Sequence, residues 1–525
     1  MRLKHVGVSG VVGLLALVVG LGQATTYGAG PPATPLVEAA KQADAATVRA
    51  LLQTGADVNA REVDGTTGLH WAAYHDDPEL VDVLVRAGAK AGAKNRYGVT
   101  PLWLATINGN TAIVERLLEA GADARAVRAD NGETALMIAA RAGHAEVIKV
   151  LLDHGANVNA VESHRGQTAL MWAAAEKHPA AVALLVEAGA DMKARSVRAE
   201  LTPLMFAIRS GHIETTRLLL DRGGDLTETA SDGTSMLMLA VLNANFELAN
   251  FLLERGADPN VNDPHGSPLF VLTWLRSAIN RSLTSILVRT PSGNMDSFDL
   301  GRALLAHGAD IDARIEEAKK PDPVEGEEES PQPRRRGRWR PGHLAIGPYF
   351  VSFVGATPFY IAAINCDVPY MKFLVDNGAD PTIPTQQNMT PLLAASGIGF
   401  YEGEHPGNPT VCLEAVKLTY ELGNDPQAVV EYGEYLAGSP SWDGATAMHG
   451  AATRGANEMV EWLIEKGVTL DTKTKEGMTA WDIADGSNIT NVFHRWEETA
   501  TLLRQLMEER GIPIEISPAR GLRTY

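Results

Sequence analysis

Residues 134–160 read TALMIAARAGHAEVIKVLLDHGANVNA. This segment contains an opening threonine, a short run with small residues, a Gly-His break, an amphipathic leucine-rich run and a closing glycine. A threonine hydroxyl at a helix start satisfies exposed backbone N–H groups. Glycine ends a helix readily because the left-handed conformation costs it nothing. The segment therefore predicts two short helices, the second of which ends at Gly155.

The opening threonine, or a serine in its place, recurs along the chain. The positions are Thr34, Thr67, Thr100, Thr134, Thr168, Thr202, Ser235, Ser267, Thr357, Thr390, Thr446 and Thr479. Neighbouring positions are about 33 residues apart, except across two longer intervals, from Ser267 to Thr357 and from Thr390 to Thr446. A glycine follows 21 residues later in the first seven units and again at Gly378 and Gly467. Two markers in one phase indicate an internal repeat, whose small helix pairs must pack on their neighbours.

Short motifs within the repeat match those of a known family. They are Gly-Ala-Asp-Val-Asn-Ala at 55–60, Gly-Leu-His-Trp-Ala-Ala at 68–73, Thr-Pro-Leu at 100–102 and 202–204, and Gly-His-Ala-Glu-Val-Ile-Lys-Val-Leu-Leu at 143–152. With the period of about 33 residues, they make the chain resemble an ankyrin-repeat protein. The resemblance implies an all-α ankyrin-repeat solenoid of about twelve helix-turn-helix units with β-hairpin-like connections and two insertions.

Some units depart from the family pattern at the residue after the leucine. The usual histidine is kept at His70 and His449. Elsewhere this position is occupied by Trp103, Met137, Met171, Met205 and Met238. Such repeats resemble the Thr-Ala-Leu-Met variant of bacterial ankyrin proteins, so we expect a bacterial source.

The two longer intervals contain inserted residues and divide the chain. We predict repeats 1–8 at residues 32–315 with an insertion near 275–298, a charged Pro/Arg-rich inserted loop at 316–353, repeats 9–12 at 354–511 with insertions near 397–411 and 424–440, and a C-terminal tail at 512–525. The charged loop carries acidic residues in its first half and arginines in its second half. It is either a solvated loop or an arm that docks on an acidic partner or a membrane surface.

The segment 1–24 has the pattern of a secretory signal peptide. Arg2 and Lys4 precede an apolar stretch at 6–21, and Gly22 and Ala24 are the small residues before the expected cut. An uncleaved anchor would need about 20 apolar residues to cross a bilayer. The stretch at 6–21 is shorter than this and contains four glycines. We therefore predict an exported protein, periplasmic or extracellular, with no membrane span after signal removal.

Composition and motifs argue against several classes of function. The 525 residues include 46 Lys and Arg against 64 Asp and Glu, a net charge of −18 that opposes nucleic-acid binding. Two cysteines are too few for a disulfide framework or a four-thiolate metal site. The 14 histidines form no His-Glu-x-x-His motif, and no Gly-x-Ser-x-Gly elbow is present. We therefore predict a noncatalytic protein with no cofactor and no metal.

Cys366 and Cys412 are one candidate pair. When the two units are aligned by Gly378 and Gly423, Cys412 falls beside Cys366 of the preceding unit. An oxidising exported compartment would permit a disulfide. However, stacked repeats are commonly farther apart than the roughly 7 Å limit between bridged Cα atoms, and the insertion blurs the register. Both a disulfide and two separate thiols remain open.

The family resemblance implies that the hairpin tips and the exposed side of the first helices bind a partner in a concave groove. Carried over to this sequence, the variable positions are Asp64, Thr66, Tyr74, His75, Arg96, Tyr97, Val99, Ile107, Asn108, Asn131, Glu133, Arg141, Arg165, Gln167, Ala175 and Glu176. One further position, four residues after the threonine, is occupied by Trp71, Ile138, Trp172 and Phe206. These residues either pack between repeats or form an exposed aromatic ridge that anchors a partner.

We therefore expect a noncatalytic exported scaffold that binds another protein, of unknown identity, through its concave face. Two alternatives remain open. The chain is an enzyme or a ligand-binding protein if the insertions build a site, for which the aromatic residues within 339–353 and 400–435 would provide a lining. It is a protective or structural factor for an exported enzyme if its deletion abolishes that enzyme's activity, for which a stable complex is not necessary.

Overall fold

The fold consists of helix pairs that repeat along the chain. The computed structural model describes residues 34–128, 130–261, 265–276, 293–316, 353–398, 409–431, 442–486 and 495–515. Within these ranges the chain forms 24 α-helices in twelve consecutive pairs, and β-structure is limited to isolated bridges. The predicted all-α fold of about twelve helix-turn-helix units is confirmed.

In each of the first five pairs, a first helix of seven or eight residues precedes a second helix of nine residues. The helices are α1 (Pro35–Lys41), α2 (Ala45–Gln53), α3 (Gly68–Tyr74), α4 (Pro78–Arg86), α5 (Pro101–Asn108), α6 (Thr111–Glu119), α7 (Ala135–Ala142), α8 (Ala145–Asp153), α9 (Ala169–Ala175) and α10 (Pro179–Glu187). This regularity follows from the constant phase of the threonine and glycine markers.

The later pairs are less regular, since inserted residues separate the two helices of some of them. The helices are α11 (Pro203–Ser210), α12 (Ile213–Asp221), α13 (Met236–Leu242), α14 (Phe246–Glu254), α15 (Pro268–Leu275), α16 (Ser297–Ala306), α17 (Pro358–Ile364), α18 (Val368–Asp376), α19 (Pro391–Ser396), α20 (Pro409–Glu421), α21 (Ala447–Arg454), α22 (Asn457–Glu465), α23 (Ala480–Ala484) and α24 (Glu497–Glu509).

Several of the expected segments lie wholly or partly outside the described residues. They are the signal peptide at 1–24 and, within the predicted insertions and tail, residues 277–292, 317–352, 399–408, 432–441 and 516–525. In the described part of the chain, no helix is long and apolar enough to cross a membrane.

From the second pair on, the opening threonine or serine caps the first helix, as its position predicts, whereas the Thr34 hydroxyl makes no cap to α1. The hydroxyl of Thr100 accepts a hydrogen bond from the backbone N–H of Trp103 at 3.1 Å, and Thr134 accepts from Met137 at 3.2 Å. The closing glycine ends the second helix with a positive φ, which is 89° at Gly121. The two markers therefore set the start and the end of each helix pair.

Neighbouring hairpins are joined by backbone hydrogen bonds. In the first half of the chain, Arg96 N–H donates to the carbonyl of Asp64 at 2.7 Å, and Ser163 N–H donates to the carbonyl of Asn131 at 2.8 Å. Isolated antiparallel bridges, such as the one between Arg61 and Thr67, close individual hairpins. The connections are therefore hairpin-like, and they are linked from repeat to repeat.

A second set of inter-repeat bonds caps the carboxyl ends of the first helices, whose last carbonyls have no partner within the helix. Asn108 Nδ2 donates to the carbonyl of Ala73 at 3.0 Å, and His144 Nε2 donates to that of Ile107 at 3.2 Å. Asn245 Nδ2 donates in the same way to Ile208 at 3.0 Å. Each of these repeats thus supplies the cap that its predecessor lacks.

The chain divides into two compact units. Unit 1 comprises Met1–Ala173 and Ala180–Asp191, and unit 2 comprises Ala174–Pro179 and Met192–Tyr525. The largest fully buried side chains of unit 1 are the aliphatic residues Leu36, Leu69, Leu80, Leu84, Ile113, Leu117 and Leu136. Those of unit 2 are the aromatic residues Phe270, Phe353, Phe359, Tyr360 and Tyr370.

Candidate interaction surface

The residues expected on the binding surface differ in exposure. The exposed ones are His75, Arg96, Tyr97, Asn108, Arg165 and, in unit 2, Glu176. The half-buried ones are Asp64, Trp71, Tyr74, Ile107, Asn131, Arg141, Trp172 and Ala175. The buried ones are Thr66, Val99, Glu133 and Gln167. The exposed and half-buried residues therefore have accessible side chains, and the buried residues do not.

All four buried residues immediately precede an opening threonine, where the hairpin turns into the first helix. The side chain at this position turns inward, so the expectation that it is exposed is corrected. Val99, for example, is 2% exposed and packs with Trp103 and Ile138 in a small apolar cluster. Thr66, Glu133 and Gln167 have the same location in their own repeats. These four residues therefore pack beneath the exposed surface and are not part of it.

The residues four positions after the opening threonine divide between the two roles that the sequence leaves open, packing between repeats and exposure at the surface. Ile138 and Phe206 are 2% and 3% exposed, so they pack inside. Trp71 and Trp172 are half-buried, so part of each indole is accessible. The ring of Trp71 contacts that of Tyr74 edge to face, with centroids 5.7 Å apart. The two tryptophans are therefore ordered aromatic groups at the surface of unit 1.

Cationic side chains lie over the tryptophan rings of unit 1. Lys41 Nζ is 5.1 Å from the ring centroid of Trp71, and the guanidinium carbon of Arg141 is 5.3 Å from that of Trp172. Arg128 lies 5.1 Å above Trp103 in the same way. Each such contact contributes about 0.5–1 kcal/mol where it is exposed and more where it is desolvated. The cation and the ring thus hold each other in place.

Glu133 connects two of these cations beneath the surface. Its carboxylate oxygens lie 3.6 Å from an Arg128 nitrogen and 3.3 Å from an Arg141 nitrogen. Burial raises the pKa of Glu133, while the two guanidinium groups oppose that rise. Since Arg128 and Arg141 lie over Trp103 and Trp172, the network extends across three successive repeats. Sequence reasoning did not select Arg128 or Trp103, because their contacts are made with neighbouring repeats.

Two exposed members of the predicted surface also have a structural role. His75 Nε2 donates to the carbonyl of Lys41 at 2.8 Å, and Asn108 Nδ2 donates to carbonyls of the preceding repeat. The donor atoms of these two side chains are therefore already engaged in hydrogen bonds within the protein. The surface that is accessible to a partner is carried mainly by the aromatic and basic residues.

Cys366 and Cys412 are joined by a disulfide in unit 2. Their Cα atoms are 5.0 Å apart, within the range that a disulfide requires. Cys366 follows α17, and Cys412 lies within α20, so the bond connects the ninth and tenth helix pairs. In the described part of the chain, no group of three or more His, Cys, Asp or Glu side chains is arranged to hold a metal ion.

One curated protein and one solved structure are similar to parts of this chain. A channel homologue from Caenorhabditis elegans, the transient receptor potential cation channel subfamily A member 1 homolog, is 30% identical over 146 residues, which are 28% of this chain and 10% of that protein. The crystal structure of the human ASB11 ankyrin repeat domain is 29% identical, covers 43% of this chain and 99% of its own, and has a TM-score of 0.39. This chain therefore spans about a tenth of the length of the curated relative.

Family matches cover more than half of the chain. The family described as Ankyrin repeats (3 copies) matches residues 36–128, 108–196 and 194–263, and Ankyrin repeat matches residues 354–383 and 443–475. These ranges coincide with helix pairs of the structure and with the threonine and glycine markers. The chain belongs to the ankyrin-repeat family.

Proposed function

We propose that this protein is a noncatalytic, exported scaffold that binds another protein through the hairpins and first helices of unit 1. Ankyrin repeats support a role as a protein-interaction scaffold in general. The observation that carries the proposal is the set of half-buried aromatic residues Trp71, Tyr74 and Trp172, with Lys41 and Arg141 over two of the rings. A few residues contribute most of the binding energy of a protein interface, and tryptophan, tyrosine and arginine are enriched among them.

The order of these side chains favours binding. Trp71 is held between Lys41 and Tyr74, and Arg141 is held between Glu133 and Trp172. Immobilising a free side chain costs about 0.5–1.5 kcal/mol on association. In unit 1 these side chains are already ordered by contacts within the folded protein, so most of this entropy is lost on folding and not on binding. A partner that covers these residues therefore gains contact area without ordering them first.

Two observations support export. The sequence at 1–24 has the charge, length and small-residue pattern of a secretory signal. The disulfide between Cys366 and Cys412 suits an oxidising compartment, such as the periplasm or the extracellular space. We propose that the signal is cleaved after Ala24 and that the mature protein acts outside the cytoplasm.

Photo-crosslinking in the native exported fraction tests the proposal. A photoreactive amino acid replaces Tyr74 or Tyr97 on the proposed surface, and Glu115 or Lys149 on the exposed side of second helices serves as the control. We expect the same protein to be crosslinked from Tyr74 and Tyr97 and not from the controls. Adducts of equal yield at all four positions, or adducts at the controls alone, would contradict the proposed surface.

A further inference from the structure

Side chains at the start of several second helices reach the preceding repeat. His144, Asn245 and Trp496 directly precede α8, α14 and α24. They donate to a carbonyl near the end of the first helix of the preceding repeat, at 3.2, 3.0 and 2.9 Å. We call the place of these three residues the cap position. It is a point at which one repeat is joined to the next.

A left-handed glycine lies against the cap position in the preceding repeat. Gly109 and Gly211 follow their first helices with φ of 76° and 75°. A Cβ at Gly109 would lie 2.6 Å from the His144 ring, and a Cβ at Gly211 would collide with the side chain of Asn245. The capping side chain thus takes the space that a Cβ of the preceding repeat would fill.

Cysteines occupy both of these places where the ninth and tenth pairs meet. Cys412 lies 11 residues before the closing glycine of its pair, as His144 and Asn245 do, so it is in the cap position. Cys366 follows α17 with a φ of 54°, at the place that Gly211 has in its own repeat. The disulfide joins the two residues, whose Cα atoms are 5.0 Å apart. A covalent bond therefore stands where other junctions have a glycine and a hydrogen-bonding cap.

The tenth pair depends on this bond because a longer connection replaces its short turn. In the fourth pair, Gly143 and His144 separate α7 from α8, whereas residues 397–408 separate α19 from α20. A longer connection restricts the position of a helix less. Beyond the end of α20, the Asn424 side chain donates to the carbonyl of Pro381 at 2.9 Å. The disulfide holds the first turn of the same helix.

We propose that the Cys366–Cys412 bond is a redox-sensitive joint. While the bond is intact, it couples the tenth pair to the ninth. Its reduction frees the start of α20 and leaves the rest of the chain folded, because each unit of a repeat array is stabilised by contacts with its neighbours. The inference is independent of the surface proposed for unit 1, since both cysteines and α20 lie in unit 2.

Reduction of the joint by a dithiol takes two exchange steps. A thiolate of the dithiol bonds to one cysteine sulfur as the Sγ–Sγ bond breaks, and the other cysteine leaves as a thiolate. The second thiolate of the dithiol then displaces the first cysteine. The dithiol becomes a disulfide, and its two electrons and two protons convert the cysteines to thiols. Cys366 and Cys412 are 3% and 0% exposed, so the reductant reaches sulfur only when the joint opens.

Hydrogen–deuterium exchange followed by mass spectrometry tests the joint in the parent chain, before and after reduction with dithiothreitol. We expect the amides of α20 to exchange at least about tenfold faster after reduction, because their protection depends on docking. The amides of α3–α6 in unit 1 should change by less than about twofold. Reoxidation should restore the original rates. Cys366→Ala/Cys412→Ala has no bond to reduce and should exchange alike with and without the dithiol.

Two outcomes of this comparison overturn the inference. If reduction leaves the exchange of α20 unchanged, its docking does not depend on the bond. If exchange accelerates by a similar factor throughout unit 2, the bond stabilises the whole unit and is not a local joint.

Two further variants test whether the bond takes the place of a cap. Cys366→Gly/Cys412→Asn reproduces the arrangement of Gly211 and Asn245, and Cys366→Gly/Cys412→Ala is the matched control without a cap. We expect α20 to exchange at least about fivefold more slowly in the asparagine variant than in the alanine variant. Equal exchange would overturn the claim that the bond replaces a cap. If either variant fails to fold, the redox comparison in the parent chain decides the inference.

Discussion

His70 and His449 are buried at the third position of their first helices and bridge to the following repeat. Nδ1 of each ring accepts a hydrogen bond from the backbone N–H of the opening threonine, at 3.2 and 3.1 Å. Nε2 donates to the carbonyl of Val99 at 3.1 Å or of Met478 at 3.2 Å, since a carbonyl oxygen can only accept. Burial lowers the pKa of both histidines to about 4. Both rings are therefore neutral in the folded protein at neutral pH.

We predict that the free energy of unfolding decreases as the pH falls from 6.5 towards 4. Because each folded-state pKa of about 4 lies below the ordinary value of 6.5, the unfolded chain binds more protons in this window. The contribution of the neutral rings to the free energy of unfolding is fully present above pH 6.5. It is lost as the pH falls from 6.5 towards 4. The loss at pH near 5 is on the order of 1–2 kcal/mol per histidine. Urea unfolding at pH 7 and near pH 5 measures it.

The chain provides its own control for this prediction. Methionine occupies the position of His70 in other repeats, for example at Met137. The variant His70→Met/His449→Met loses the two titrating groups and should show a smaller decrease in stability between the two pH values. An equal decrease in the variant and the parent would assign the pH dependence to other residues.

At the scale of helices, a side chain from one repeat caps the first helix of the preceding repeat. Asn245 shows this in unit 2, where it is 4% exposed and donates to the carbonyls of Ile208 and Arg209 at 3.0 and 3.3 Å. A buried carbonyl that loses its donor costs about 1–3 kcal/mol. We predict that Asn245→Ala destabilises unit 2 by about this amount, measured by urea unfolding.

A conservative variant separates the cap from simple packing. The equivalent position in another repeat is His144, whose Nε2 donates to Ile107 at 3.2 Å. Asn245→His should therefore retain most of the stability that Asn245→Ala loses. If both variants unfold at the same urea concentration, the hydrogen bond is not the reason for the loss.

Arg276 connects two helices of unit 2 that are far apart in sequence. Its Nε and a terminal nitrogen lie 2.8 and 3.2 Å from the carboxylate oxygens of Asp367, which precedes α18. Its guanidinium carbon is 4.3 Å from the ring centroid of Phe298 and 4.2 Å from that of Tyr370. The side chain thus links the end of α15 to the start of α18 across 91 residues of sequence.

We predict that Arg276→Lys destabilises unit 2, because lysine cannot reproduce the two-nitrogen contact with Asp367 or the planar contact of the guanidinium with both rings. Breaking a largely buried pair by removing a partner costs about 3–5 kcal/mol, so Arg276→Ala should cost more than the lysine variant. Arg302→Lys, at an exposed ion pair with Asp299, is the matched control and should change stability by less than about 1 kcal/mol. Urea unfolding in which the Arg276→Lys and Arg302→Lys variants are equally stable would contradict a special role for Arg276.

The helix pairs could be predicted from sequence because their determinants are local. The threonine cap directly precedes the first helix and the glycine stop lies within two residues of the end of the second, as at Thr134 and Gly155. The surface could be predicted only in part. The inward turn of Val99 and Glu133 depends on how a hairpin enters the next helix, and the contact of Arg128 with Trp103 joins two repeats. Such contacts have no signature in one repeat alone.

For the molecule as a whole, the disulfide gives a direct test of the compartment. Cys366 and Cys412 are separated by 46 residues, and a bond that closes a loop of this size stabilises by about 2–4 kcal/mol. We predict that reduction lowers the stability of the parent chain and leaves Cys366→Ala/Cys412→Ala unchanged. In protein isolated from the exported fraction, alkylation should add mass only after reduction. Equal masses with and without prior reduction would contradict both the bond and the proposed compartment.

The central claim is that the hairpins and first helices of unit 1 bind another protein. Its most direct test is the Kd of the crosslinked partner for the parent chain, for Tyr74→Ala/Tyr97→Ala and for the control Glu115→Ala/Lys149→Ala. We predict that the tyrosine variant binds at least about tenfold more weakly, as the loss of interface aromatic residues requires, and that the control binds within about twofold of the parent. A tyrosine variant that binds as tightly as the parent would contradict the claim.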